Sequence, residues 1–261
     1  MNITEEDKSF FNHNGFLIKS GVLSKRQLSD VKNVVHTLAN NEAAKANADF
    51  YRPDSTGKTQ RVWNLTNKGT IFQKLLENEV IENFMEFIFD RNTQHQKYFL
   101  SSFQANILHP GCNRQRLHID TPVPEPLPEW PIKANSIWMI DDFTDSNGAT
   151  ELCAGSHRKK FKPNMTDDKE AITTKAIAPA GSVLFTHGAL WHRAGANISK
   201  KSRVALLGSF AASYALEIAR EEDQSIILNQ QLVEKMSPKL KRIIGIGHGI
   251  KHGAKLFPPS E

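Results

Sequence analysis

His118-Ile119-Asp120 is the first place in the chain where residue type and spacing together could hold a metal ion. On a strand, residues two apart point to the same face, so this imidazole and this carboxylate can reach one ion. The motif alone is weak, because H-x-D arises by chance in many proteins. A third ligand far along the chain, with an anchor at fixed distance behind it, strengthens it. Trp191-His192-Arg193-Ala194-Gly195-Ala196-Asn197 supplies a second histidine, and Arg203 follows. Two histidines and one carboxylate form a facial triad that leaves three positions of an iron(II) ion open. An oxo acid can fill two of them and dioxygen the third. The far carboxylate of 2-oxoglutarate would then need a planar, permanently charged fork, which arginine supplies better than lysine.

Other candidates are weighed against these. His187 competes with His192, since both flank Gly188-Ala189-Leu190; the arginine spacing favours His192 and leaves His187 as a hydrogen-bonded wall residue. His157, in a Gly-Ser-His loop, reads as structural. His13, His36, His95, His109, His248 and His252 have no ligand spacing. The chain holds ten histidines but only two cysteines, Cys112 and Cys153, which excludes a disulfide framework and a C-x-x-C zinc site. Trp138 could face the core or the barrel. Asp141-Asp142 ends a strand before a turn and is expected to be solvated or hydrogen-bonded there.

The elements that must position these residues change character along the chain. Thr4 opens a short helix that stops at Asn14-Gly15. Ser24 and Gln27 form a capping-box pattern, followed by Leu28, Val31, Val34, Val35 and Leu38 at helical spacing. A polar, alanine-rich stretch from Asn40 to Asp49 and a loop around Tyr51 to Lys58 come next. The spacing predicts one further helix over Ile71 to Asp90. Near Lys97 the period falls to two: Phe99, Phe103, Ala105 and Ile107 alternate with Gln104, Asn106 and Leu108. Further strands are expected at Leu117–Thr121, Ala134–Asp142, Thr150–Leu152, Thr174–Ala178, Ser182–Thr186 and Arg203–Ala211, then a last helix over about Gln224 to Lys235. Many short strands separated by glycine and proline turns imply a sandwich or barrel. The expectation is one domain over residues 1–261: a helical part to about 95, a β core over about 96–212 and a helical tail from 213.

Two local features bear on a substrate. Five prolines fall among the eleven residues from Thr121 to Pro131, a stiff segment that leaves directly from Asp120 and could wall or cover the metal. Arg114 and Arg116 precede His118 at intervals of two. An unbroken strand would aim all three at one face and offer guanidinium groups to a carboxylate, phosphonate or phosphate. A turn continuing from Pro110-Gly111 through Asn113 would break that parity.

With these residues in view, the sequence resembles the phytanoyl-CoA dioxygenase family, a branch of the 2-oxoglutarate oxygenases, from about Phe10 to about Gly247. The resemblance rests on His118 and Asp120, on Asp141-Asp142-Phe143-Thr144-Asp145-Ser146-Asn147-Gly148-Ala149-Thr150, on Gly155-Ser156-His157, and on Trp191-His192 through Asn197 to Arg203. The eleven positions from His192 to Arg203 are the spacing that family uses. What the resemblance implies is a mainly β protein with flanking helices, a double-stranded β-helix (jelly-roll, cupin-like) barrel with Fe(II) inside it near one open end. It also implies an oxidoreductase that uses O2 and decarboxylates 2-oxoglutarate to succinate and CO2 while oxidising, foremost hydroxylating, a second substrate. Asn106 matches a position that contacts the cosubstrate in relatives. Ala194 stands where many members have serine, which removes one cosubstrate hydrogen bond, and Cys153 lies in a segment that often carries proline before Gly155. Related halogenases replace the carboxylate with a small residue, so Asp120 excludes that chemistry.

Composition narrows the partners. Hydrophobic residues make up 39% and charged residues 23%, ordinary for a globular protein. No run approaches a membrane span, and the acidic, polar start is unlike a signal peptide, so a cytoplasmic location is the default. The formal charge of +5 is diffuse apart from Lys235, Lys239, Lys241, Arg242, Lys251 and Lys255. That reads as a solvated basic surface, or as help toward a small, anionic substrate, rather than as a nucleic-acid stripe. Two other classes stay open: a non-redox metalloenzyme on a similar barrel, which leaves Arg203 without a task, and an inactive binding member of the fold, which has no physical need for the whole ligand set.

Overall fold

The computed structural model describes residues 2–44, 58–92, 96–215 and 230–246. Seven helices lie in these segments: α1 (Glu5–Asn14), α2 (Lys25–Ala44), α3 (Thr70–Leu76), α4 (Glu79–Ile88), α5 (Met165–Glu170), α6 (Gln230–Lys235) and α7 (Pro238–Ile243). Thr4 caps α1 reciprocally with Asp7, and Gly15 ends it at φ 80°, in the left-handed region that glycine enters without strain. The one helix expected over Ile71–Asp90 is two. Asn78 turns its side chain onto the Val80 N–H and starts α4 afresh, since a local cap competes with continuing the first helix. Of the last expected helix, residues 224–229 lie outside the described residues, as do 45–57 of the alanine-rich stretch and loop, and His95, His248 and His252.

Nine strands follow: β1 (Phe16–Lys19), β2 (Thr59–Val62), β3 (Tyr98–Leu108), β4 (Lys133–Met139), β5 (Thr150–Leu152), β6 (Thr174–Lys175), β7 (Val183–His187), β8 (His192–Ala194) and β9 (Arg203–Ala212). They form a six-stranded sheet, β1-β7-β4-β9-β3-β2, and a three-stranded sheet, β6-β5-β8. Every pairing is antiparallel. β1, β2 and β8 are not among the strands expected from the sequence, and β6 stops at Lys175, short of the expected Ala178.

Parity places the two cores. Phe103, Ala105 and Ile107 of β3, Ala134 and Trp138 of β4, Phe185 of β7, and Leu206 and Phe210 of β9 join the helices in the larger cluster. There Phe185 stacks on Phe84 of α4 at a centroid distance of 4.0 Å. The opposite faces contribute Ile137, Met139, Leu184 and Ala205 to a second cluster that includes Leu152 of the smaller sheet. One core therefore lies under the helices and the other between the sheets, the layering of a jelly-roll barrel. A register shift between Leu100 and Ser102 puts Leu100, not Phe99, on the same side as Phe103. No described helix is long and apolar enough to cross a membrane.

Candidate metal centre

The expected strand over Leu117–Thr121 does not form; His118 makes an isolated bridge to His192 at the start of β8. Gln115 N donates to Ala194 O and His118 N to His192 O. Three steps on one side thus meet two on the other, and a continuous ladder cannot build. The bridge is enough. It sets the two imidazoles with centroids 4.5 Å apart, and Asp120 is held beside them by donating its N–H to Gly188 O at 2.8 Å. Gly188 must be small, because a Cβ there would stand 2.6 Å from Lys133 O and 2.8 Å from Thr121 Oγ1.

Each imidazole is fixed through its Nδ1. His118 Nδ1 lies 2.8 Å from Arg116 O and His192 Nδ1 2.9 Å from Leu190 O. A carbonyl only accepts, so both Nδ1 atoms carry a hydrogen, and in the neutral form of each imidazole the lone pair is on Nε2. Those lone pairs face one carboxylate: His118 Nε2 is 3.9 Å from Asp120 Oδ1, and His192 Nε2 is 3.4 Å from Oδ2. Burial pushes Asp120 upward, but His192, His118, Lys133 and a hydrogen bond from Asn135 together hold it below the ordinary carboxylate range. Burial, then His192, lowers His118. A metal would require both imidazoles neutral and the carboxylate ionised, and these shifts of Asp120 and His118 run in that direction. Converging lone pairs repel unless a cation sits among them, so the donor set fits a divalent ion. Among the described residues His118, Asp120 and His192 are the group of three that could hold one, with ligand atoms within 4.8 Å of one another.

His187 is elsewhere. Its Nδ1 accepts from Ala189 N at 3.0 Å, and its ring lies 5.2 Å from that of His157. Burial, then His157, pushes it down to about 3. Pro128, Glu129 and Pro131 of the proline-rich segment border a cavity of about 570 Å³ that includes His187 and His157. The lining contains none of the three converging side chains, so this part of the segment walls a neighbouring space.

Arg203 opens β9 and is 3% exposed. Its Nη2 donates to Gly148 O at 2.6 Å, its guanidinium lies 4.2 Å over the Phe143 ring, and its Nε has no hydrogen-bond partner. Gly148 is at φ 84°, and a Cβ there would stand 2.7 Å from Leu108 Cδ1 and 3.0 Å from Gly195 O. Burial lowers Arg203 to about 10, so it stays charged at neutral pH. Gly148 is four positions before Leu152, the partner of His192. Asn106 is on the inner side of β3, opposite Ala205 and Arg61, and its Oδ1 is buried without a partner. Both Arg203 Nε and Asn106 Oδ1 are therefore left available for a further hydrogen bond.

Arg114 and Arg116 are exposed and in a loop, so the strand parity that would aim them at the metal is absent. Arg114 acts on Asp168, and Arg116 serves through its carbonyl on His118. Cys153 lies buried against Leu117 and Trp191. Asp141 Oδ2 accepts from Val204 N, Asp142 Oδ1 accepts from Ala180 N, and Trp138 is fully buried in the outer core.

Two supporting residues carry no signal in the sequence. Asn135 donates to Asp120 Oδ2 at 2.6 Å. Asp168 Oδ1 accepts both Leu117 N at 2.7 Å and Arg193 Nη1 at 2.9 Å, joining the neighbours of His118 and His192. Arg193 also meets Glu151 Oε2 at 2.6 Å.

Comparison with known proteins agrees with this geometry. The family model described as phytanoyl-CoA dioxygenase matches residues 11–205. A dioxygenase, af480, of Aspergillus fumigatus is 26% identical over 247 residues, 94% of this chain and 77% of that protein. The iron/alpha-ketoglutarate-dependent dioxygenase okaE of Penicillium ochrochloron is 25% identical over 78% of this chain and 67% of its own. Among solved structures, EctD from S. alaskensis, crystallised with 2-oxoglutarate and 5-hydroxyectoine, superposes with a TM-score of 0.69 at 14% identity, over 81% of this chain and 77% of that one. The carbocyclase SnoK of nogalamycin biosynthesis gives 0.67 at 16% identity, over 88% and 95%. A jelly roll with a two-histidine, one-carboxylate centre defines an iron- and 2-oxoglutarate-dependent dioxygenase. Within that class, the chain belongs to the phytanoyl-CoA dioxygenase family.

Proposed function

We propose that a single domain of this chain hydroxylates a small-molecule substrate, with iron(II) held by His118, Asp120 and His192, and 2-oxoglutarate held by Arg203 and Asn106. The observation that carries the reading is the convergence of two Nε2 lone pairs on one carboxylate, with both Nδ1 atoms already committed. When bound, iron and 2-oxoglutarate supply dioxygen activation, coupled to release of succinate and CO2. The protein's own part is positioning. The Arg203 fork would take the far carboxylate, its Phe143 stack and Gly148 contact fixing the plane of the guanidinium. Asn106 can turn its NH2 toward a carboxylate oxygen. Two buried cysteines with no disulfide between them suit a reducing cytoplasm.

Anaerobic addition of iron(II) and 2-oxoglutarate should give a weak visible charge-transfer band. A zinc hydrolase or an inactive binding protein would not give it. His118→Ala, Asp120→Ala and His192→Ala should each abolish 2-oxoglutarate turnover while circular dichroism stays native, and His187→Ala should hurt less. Full activity in His192→Ala with loss in His187→Ala would show that the wrong histidine has been chosen.

A further inference from the structure

A carboxylate can bind a metal through one oxygen or through both. If Asp120 used both, one of the three positions needed for a chelating oxo acid and dioxygen would be filled by the protein itself. Something must hold the carboxylate to a single oxygen, and the inner face of β4 carries a side chain suited to that.

Asn135 lies in register with Thr186 of β7 and Ser209 of β9. It is 6% exposed, and Ile137, the next residue on its face, belongs to the apolar cluster between the sheets. Putting an amide there is costly unless it is hydrogen-bonded. Its Nδ2 is 2.6 Å from Asp120 Oδ2 and 3.3 Å from Thr186 Oγ1. An ionised carboxylate only accepts, so the amide must turn its NH2 toward Asp120, which fixes the orientation of the group. The bond is short and charge-assisted, in the stronger class of protein hydrogen bonds. It engages Oδ2, which also lies 3.4 Å from His192 Nε2, and leaves Oδ1, 3.9 Å from His118 Nε2, without that bond.

We propose that Asn135 is a positioning residue that ties down Asp120 Oδ2, restricts the carboxylate to one-oxygen coordination and so keeps a metal position open for the oxo acid. The inference rests on reading His118, Asp120 and His192 as the iron ligands. It assigns Asn135 no contact with the reacting atoms. It acts through Asp120 alone, as partners of metal ligands generally do.

The test uses the full-length protein loaded with cobalt(II), whose visible absorption weakens as its coordination number rises. Wild type, Asn135→Leu and Asn135→Ser are compared by cobalt(II) titration, then by titration with 2-oxoglutarate and by anaerobic iron(II) charge-transfer absorption. The serine variant guards against misfolding of the leucine one. The expected result is that both variants still bind cobalt(II), show weaker cobalt bands than wild type, and lose roughly tenfold or more in 2-oxoglutarate affinity. Unchanged spectra with 2-oxoglutarate affinity within about twofold of wild type would overturn the proposal, even if both variants melt earlier. Variants that no longer bind cobalt(II) would overturn it too, by making Asn135 a requirement for metal binding and not for its denticity. Wild-type protein that fails to bind the metal, or gives no iron–2-oxoglutarate band, would instead sink the proposed function.

Discussion

Arg203→Lys separates the fork from the charge. Lysine keeps the positive charge but offers it as a compact point, so it cannot keep the Gly148 O contact at 2.6 Å, the stack 4.2 Å over Phe143 and a bidentate grip on a carboxylate all at once. Losing one charge-assisted hydrogen bond costs about 1.5–3 kcal/mol, which is roughly ten- to over a hundredfold in affinity at about 1.4 kcal/mol per factor of ten. The loss should appear in the dissociation constant of 2-oxoglutarate, read anaerobically from the iron charge-transfer band, and as a raised KM with kcat changed much less. A control locates the effect. Pyruvate shares the oxo-acid end but lacks the far carboxylate, so wild type and variant should bind it about equally weakly. The variant is also expected to melt a little earlier, because Phe143 loses its stacking partner, but an unfolding effect would not discriminate between the two oxo acids. If 2-oxoglutarate binds Arg203→Lys as it binds wild type, or if pyruvate binding falls by the same factor, Arg203 does not hold the far carboxylate.

The remaining predictions concern the frame around the site. Asp168→Ala removes the acceptor shared by Leu117 N and Arg193 Nη1; with the carboxylate 28% exposed, the cost is about 1–3 kcal/mol of stability. Metal affinity should fall with it, and wild-type affinity in this variant would sever the link from α5 to the metal. His187 is pushed down to about 3, so the folded form stays neutral while an unfolded chain takes up a proton below about 6.5. Stability is therefore retained above pH 6.5 and lost as the pH falls toward 3, by about 3 kcal/mol at pH 4 from this residue alone. His187→Asn should flatten that stretch of the melting-temperature profile, and an unaltered slope would contradict it. Divalent metal should raise the melting temperature in proportion to the logarithm of its concentration, and Asp120→Ala should erase the rise; a persisting rise would place the metal elsewhere.

Some of the centre is legible in the sequence alone because its information is local. His118, Asp120, His192 and Arg203 are specified by residue type and by two separations, two positions and eleven, that survive irregularities of the chain between them. The strand parity expected for the H-x-D pair does not hold. His118 lies on no ladder, and its fixed orientation, like that of His192, comes from a carbonyl two residues back, Arg116 O for the one and Leu190 O for the other. The same break in the ladder removes the argument for Arg114 and Arg116. Parity works where the ladder is long: it sets Asn106 inside the barrel through seven unbroken pairs with β9 after the register shift of β3, and it fails for Phe99 on the other side of that shift.

Residues that support the ligands are illegible for a different reason. Asn135 resembles any polar residue within an apolar strand until the register of β4 against β7 and β9 is known, and Asp168 resembles any acid in the first turn of a short helix. Their partners, Asp120, Leu117 and Arg193, are 15, 51 and 25 positions away, and no local pattern fixes those distances. Asn78 gives the contrasting case, because its partner, the Val80 N–H, is two residues on and the Asn-Glu-Val sequence already contains the helix start. The ligands of such a centre are therefore written in spacing and their support in register. A substitution at Asn135 or Asp168 would pass unremarked in the sequence while changing how the metal is held.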